Sequence, residues 1–451
     1  MSGIGAASPA LAAGEPLEKR VERLEGLLEQ ILQRLEAQDG KINTQDRQIL
    51  EQARTVVSQR QELEQKVAAT DAKAEEVRKA SASGDGFRVG KTRFKIGGYL
   101  KADFNATRYS DGDTEPEVVG DDFYLPQQIP VEAAASKSDG FDTNASARET
   151  RLWVSGETDV DGHKLSGRLE FDFQVVGTNA TERATNNYSP MLRHAFIQWD
   201  NLLVGQTWST FQNAEVLPDG IDYVGPTEGT VFVRQPQIRY TMGDVQIAIE
   251  NPETVVTQAS GAAVSSNDGA LPDIVVRYVR KADFGQFTLA GLVRQLDCKN
   301  CVDTIDDSAM GYGLSAAGLI KVGASDDIRF MANAGRGIGR YIGINIVNDV
   351  AIRADGSLKP IDVYSGFVAY RHVWAPGLRS TLTGAFFKAD NPVALTGGNV
   401  TDRVWSAQVN LLWSPVPQLT FGAEYIYAER QIESGWDGTM SRFQVSTKYA
   451  F

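Results

Sequence analysis

Seven arginines, Arg151, Arg168, Arg239, Arg277, Arg294, Arg430 and Arg442, share one parity of separate alternating segments. Glu157, Glu170, Asp172, Asp273 and Glu424 fall on the same parity. In KLSGRLEFDFQV the division is plain: Leu165, Leu169, Phe171 and Phe173 take one face, and Arg168, Glu170, Asp172 and Gln174 the other. A guanidinium binds carboxylate through two parallel N–H donors and keeps its charge at any physiological pH. Arginines gathered on a polar inner face can therefore guide small anions. They can equally pair with the carboxylates beside them and brace a wall. The connection FQNAEVLPDGIDYVGPTEGTVFVRQ adds Glu215, Asp219, Asp222 and Glu228, and closes on Arg234. If it narrows a passage, its acidic residues oppose anions or pair across the gap with arginines to set a transverse field. If it stays outside, it is a surface loop rich in turn residues.

Other reactive residues are few. The two cysteines, Cys298 and Cys301, form CKNC. They read as a small loop disulfide, because a redox dithiol wants a helix N-terminus and two thiolates leave a zinc site incomplete. His163, His194 and His372 stand apart without metal-ligand spacing, so no metal is expected. No nucleophile elbow or phosphate loop occurs, and GRGIG at 335–339 has no helix after it. His194 with Ser209 is the nearest approach to a hydrolase pair, and nothing in the sequence fixes their geometry. The chain reads as a non-enzyme without catalytic residues or cofactor.

The elements carrying these residues are short and alternating. The chain has 451 residues, 43 glycines, 9% aromatics and a net charge of −13; the charge argues against nucleic-acid binding. Mean hydropathy is −0.27. No 18-residue apolar run occurs, so no membrane-crossing helix is expected, but strands that bury alternate residues escape that test. From KIGGYLKADF onward the connections alternate. Those at 109–146, 178–190, 211–233, 252–271, 296–309, 336–359, 389–402 and 431–440 are long or moderate. Between them lie the tight VDGHK, WDN, MGD, KADFG, GASDD, WAPG and SPVPQ. This predicts an all-β transmembrane barrel of about 16 antiparallel strands, with short periplasmic turns and long outer loops. An even count lets the first and last strands pair and removes both sheet edges.

Aromatics sit where a membrane interface would want them. Trp199, Trp374 and Trp413 lie at short turns, and Tyr240 and Tyr278 near others. The last strand, SRFQVSTKYAF, alternates cleanly and reaches an aromatic at Phe451. In MLRHAFIQW and LLVGQTWSTF the parity blurs, since Arg193 shares a face with Ala195, Ile197 and Trp199. A protein–protein contact tolerates such mixing, so the subunit interface is expected there.

Residues 14–80 follow another period. One heptad position reads Val21, Leu28, Leu35, Ile42, Ile49, Val56, Leu63; the other reads Leu17, Leu24, Ile31, Gln38, Gln45, Gln52, Gln59. Seven heptads in one register predict a coiled coil, and core glutamines fix register in a symmetric oligomer. Three strands are favoured. Residues 1–13, with the small-residue run Ala10–Ala13, read as a residual leader, 81–92 as a Ser/Gly linker, and 93–451 as the barrel.

With the coiled coil, the strand FKIGGYLKADF, the block RLWVSGETDVDGHKLSGRLEFDF followed by LRHAFIQWDNLLVGQTWSTF, and the terminal Phe, the chain resembles the DcaP-like outer-membrane porins. The resemblance implies a homotrimer of 16-stranded barrels with a periplasmic helical extension, passing small anionic solutes, dicarboxylates among them. Its surroundings would be outer-membrane lipid and lipopolysaccharide, with periplasmic envelope components near the helix. The alternative is a structural or adhesive protein that uses the coiled coil as an envelope tether.

Overall fold

The computed structural model describes residues 17–82, 86–114, 118–131, 140–174, 188–258, 262–267, 269–302 and 305–451. It divides into two units, Met1–Asp85 and Gly86–Phe451. The first holds one 66-residue helix, α1 (Leu17–Ala82). Val21, Leu24, Leu28, Ile31 and Leu35 lie exposed along it, an apolar stripe that this single chain leaves uncovered. The proposed leader, 1–13, lies outside the described residues.

The second unit is a closed barrel of sixteen antiparallel strands. They are β1 (Thr92–Tyr109), β2 (Arg151–Val160), β3 (His163–Asp172), β4 (Met191–Trp199), β5 (Leu202–Trp208), β6 (Arg234–Met242), β7 (Val245–Glu250) and β8 (Asp273–Ala282). β9 (Gly285–Lys299), β10 (Asp306–Val322), β11 (Asp326–Arg336), β12 (Asp362–Ala375), β13 (Leu378–Asp390), β14 (Thr401–Val416), β15 (Leu419–Ile432) and β16 (Asp437–Ala450) follow. Each strand pairs with the next. β16 returns to β1 over Tyr99↔Ala450 through Tyr109↔Met440, which closes the ladder. Phe451 exchanges backbone hydrogen bonds with Gly98 at 3.1 Å in both directions. In lipid a sheet edge would leave polar backbone unsatisfied, so closure is what permits strands to span.

The short and long connections follow one another in the expected order, with several bounds moved. The last, expected at 431–440, is the short turn 433–436, and Asp142–Ser146, at the end of the first, is a strand that pairs with β1. A three-residue strand, Phe87–Val89, folds back on the start of β1 within the stretch expected to be linker. β9 and β10 run on to Lys299 and from Asp306, so the connection read as 296–309 shortens to a tip. Cys298 and Cys301 are disulfide-bonded there.

The outer face is apolar. Phe104, Leu169, Val204, Leu289, Leu314, Leu382 and Val409 are all exposed on it. Trp199, Trp374, Trp413 and Tyr449 form an aromatic belt at the short-turn end; Tyr312, Tyr364 and Trp405 form one toward the long loops. Against the pattern, Arg193 is buried, although its neighbours Ile197 and Trp199 are exposed. The cause is a β-bulge: Glu170 opposes His194, Phe171 opposes Leu192, and Arg193 is the extra residue between them. A bulge re-aims a side chain locally. The blurred parity of β4 thus has an intrachain origin.

Candidate functional site: a lumen filled by inward loops

Three long connections pack inside the barrel against one another. The third, 209–233, leaves β5 and reaches the far wall. Ile221 and Asp222 donate their backbone N–H groups to Glu424 on β15 at 3.1 and 3.2 Å. Lys101 on β1 donates to the Ile221 carbonyl at 2.5 Å and to Glu149 at 2.5 Å. Asn333 on β11 donates to the Gly229 carbonyl at 3.1 Å. At Gly229 the loop touches the wall backbone to backbone: a Cβ there would lie 2.5 Å from the Gly366 carbonyl carbon and oxygen. The wall is held by its ladder, so the loop must yield. Gly229→Val is therefore expected to push the loop toward the pore axis and lower single-channel conductance, measured in planar bilayers. An unchanged conductance would mean that the loop does not narrow the passage.

The first connection also enters, which its sequence gave no reason to expect. Phe123, Tyr124 and Ile129 are buried. Tyr124 donates its N–H to Asp222 at 2.8 Å, and Thr227 donates its hydroxyl to the Tyr124 carbonyl at 2.9 Å. Arg442 and Arg430 hold this segment from beneath, donating to the carbonyls of Gly120 (2.6 Å) and Ile129 (2.9 Å). The sixth connection, 337–361, brings Ile338, Tyr341 and Ile342 onto Phe211, Val216 and Val231. Its Tyr341 carbonyl accepts the Phe232 N–H at 2.9 Å. Two of its short strands, Val350–Ile352 and Leu358–Pro360, join Thr254–Thr257 and Ala263–Ser266 of the fourth connection in a four-stranded sheet.

The residues singled out from sequence now divide. Arg294 and Asp273 face inward but are sealed under the sixth loop, each with a fully buried side chain. Arg442 is likewise buried. Arg151, Arg168, Arg239 and Arg277 remain partly open, with Arg329, Arg371 and Arg379 on strands that the sequence reading did not select. In three of the inner ion pairs the exposure is lopsided. Arg168 is 33% exposed and Glu170 5%; Arg151 is 21% and Asp172 0%; Arg371 is 26% and Asp327 4%. In each pair the cation faces the lumen and the anion lies behind it. Arg239 makes no ion pair among the described residues, and Arg277 is held by Gln246 at 2.9 Å and by the Gln212 carbonyl.

Of the acidic loop residues, Asp222 and Glu228 are hidden, whereas Asp219 and Glu215 are about as exposed as the cations they pair with. Asp222 is buried, accepting the N–H groups of Tyr124, Val224 and Gly225. Glu228 is fully buried against the wall, and burial pushes its carboxyl up to about 7. Asp219 pairs with Arg379 at 2.5 Å and Glu215 with Lys281 at 2.8 Å. Arg234 stacks over Trp208 at 5.0 Å and Phe232 at 5.7 Å. His194 binds the Thr207 hydroxyl at 3.0 Å, while the Ser209 hydroxyl accepts the Phe211 N–H at 3.1 Å, so the two are engaged separately.

A closed sixteen-stranded barrel with an apolar outer face, a charged interior and inward loops is a porin, a channel of the outer membrane. The sequence profile of the DcaP outer membrane protein family matches residues 29–451, and the chain belongs to that family. Among solved structures it is similar to the outer membrane channel DcaP of Acinetobacter baumannii, with 22% identity and a TM-score of 0.68 over 81% of this chain and 99% of that one. OmpF of Salmonella typhi, solved in complex with daunomycin, is similar at 11% identity and a TM-score of 0.50, over 80% and 98%. No curated protein sequence matches.

Proposed function

We propose that this porin passes small hydrophilic anions by passive diffusion, with dicarboxylates as preferred solutes, and works as a homotrimer. The observation that carries the charge preference is the lopsided exposure of three of the inner ion pairs. A solute meets guanidinium first, and paired cations in a narrow lumen attract carboxylates while repelling cations. Two carboxylates on one solute can engage arginines from adjacent strands, which favours dicarboxylates over monocarboxylates of equal size. The test is planar-bilayer recording of the pure protein. A reversal potential of anion-selective sign, and current block by succinate stronger than by acetate, support the reading. Cation-selective current overturns it.

The exposed apolar stripe of α1 supports the trimer, since three such stripes cover one another in a periplasmic coiled coil. Deleting residues 17–82 is expected to leave the conductance of each barrel intact and to weaken trimers, read as earlier dissociation on semi-native gels with heating. Loss of conductance with intact trimers would instead make the helix part of the channel. A pure tether would show no conductance in either form.

A further inference from the structure

One inner ion pair breaks the pattern of the others. Asp219 of the third loop is 26% exposed on Arg379 of β13, itself 21% exposed. In the three pairs above, the carboxylate lies behind its arginine. Here it comes from the loop and stands on the lumen side, where a solute would approach. The contact has the form of carboxylate recognition: Nε of Arg379 donates to one Asp219 oxygen at 2.5 Å, and Nη2 to the other at 3.5 Å. Nη1 donates to the Ser414 hydroxyl at 3.2 Å, which fixes the plane of the fork.

A second cation stands beside this pair. The Ser414 hydroxyl meets that of Thr420 at 2.9 Å, and Thr420 opposes Lys448 on β16. Lys448 is half-buried and within electrostatic reach of both Asp219 and Arg379. It has no ion pair or side-chain hydrogen bond among the described residues. The buried charges nearby, Lys101, Asp103 and Glu149, are paired with one another. Two cations thus face one carboxylate. Lys448 also lies over the Tyr99 ring at 5.6 Å, and Arg151 lies over the same ring at 5.2 Å.

The Asp219 carboxylate is not what holds the loop. The backbone is anchored at every second residue here: the Leu217 carbonyl accepts from Arg329 at 2.5 Å, that of Asp219 from Asn410 at 2.9 Å, and that of Ile221 from Lys101 at 2.5 Å. The side chain can therefore swing off Arg379 while the loop keeps its place. A partly exposed ion pair is weak, because water takes up both ions when they part.

We infer that Arg379 and Lys448 form a carboxylate subsite for the permeating solute, and that Asp219 is a tethered carboxylate which the solute displaces. The exchange rests on the anion preference proposed above, since only a solute anion can replace the loop's own. A group on a short flexible tether competes at an effective concentration on the order of millimolar. Asp219 thus keeps solute binding weak and release fast, as conduction requires. A solute that leaves Arg379 meets Arg151 next, across the Tyr99 ring.

The probe is succinate, titrated against the full-length protein in planar bilayers in KCl. The dissociation constant is read from block and the residence time from current noise. Asp219→Asn removes the competing charge at nearly unchanged shape and is expected to bind succinate about fivefold more tightly, with longer residence. Asp219→Ser should show the same gain, so the result does not depend on how one variant folds. In an Arg379→Gln background, Asp219→Asn should bring no gain. Wild-type affinity in both Asp219 variants overturns the exchange. So does an equal gain with and without Arg379, which would make Asp219 a distant contributor to the field of the lumen. Both of those outcomes leave the reversal potential of the wild type, and the channel reading with it, intact. A cation-selective wild type overturns the channel reading and the exchange together.

Discussion

Replacing Arg239 and Arg277 together by glutamate is expected to reverse the ion preference of the channel. Both lie on the inner wall, on β6 and β8, neither has a carboxylate partner within ion-pair distance among the described residues, and Arg277 lies beneath the third loop at the Gln212 carbonyl. The pair changes the local charge by four units. In water one unit charge acts on another with about 1 kcal/mol at about 4 Å. Even after screening by salt, four units should shift the anion-to-cation permeability ratio by more than about tenfold. In a KCl gradient the reversal potential should change sign, and the effect should shrink at high salt. Glutamine at both positions should give an intermediate value near neutrality. Should the glutamate pair keep the wild-type reversal potential, selectivity is set elsewhere, and the exposed Arg151–Arg168 edge becomes the place to look. Folding is checked separately by heat-modifiable gel mobility, since Arg277 also holds Gln246.

The barrel could be read before any coordinate because its determinants are local. Alternation assigns a face to each residue, and tight turns alternate with long loops in a way only an up-and-down closure requires. Interior loops lack such a code. Phe123, Tyr124 and Ile129 bury themselves without period, and the groups that receive them, Asp222 and Arg430, are close only in space. The residues of the third loop leave open whether it narrows a passage or stays outside. Its carboxylates read as a negative constriction in sequence because composition does not show depth. The fold hides Glu228 and Asp222 and pairs Asp219 and Glu215. The face taken by Arg193 is illegible in the sequence for a different reason. A bulge adds one residue to a strand and flips parity beyond it, and no residue type in LRHAF marks where that happens. Arg294 and Asp273 had the right parity, but parity separates inside from outside and not open lumen from buried lumen.

That last distinction leads to the largest structural effect expected of a single substitution. Arg294 joins Asp273 at 3.3 Å and Asp349 at 3.1 Å, with all three side chains fully buried. Arg340 and Tyr341 of the sixth loop reach the same Asp273 oxygen, at 3.4 and 2.7 Å. Asp349 is the keystone, because its carboxylate also accepts the backbone N–H groups of Arg340 at 3.0 Å and Val255 at 2.9 Å. It thus ties the fourth and sixth connections to the wall. Asp349→Ala leaves Arg294 buried with half its countercharge and orphans two N–H donors. Breaking a buried pair from one side costs about 3–5 kcal/mol. The strand ladder does not depend on it, so the cost should fall on the loops. The variant is expected to keep barrel mobility on unheated gels, to become cleavable by protease within 337–361, and to show larger, noisier single-channel currents. Asp349→Asn retains an acceptor and should lie between. Asp355→Ala, in the exposed turn of the same loop, should change nothing. If Asp349→Ala resists protease and conducts as wild type, the loop is held by its apolar contacts with Phe211 and Val231, and the buried ion network only fills space.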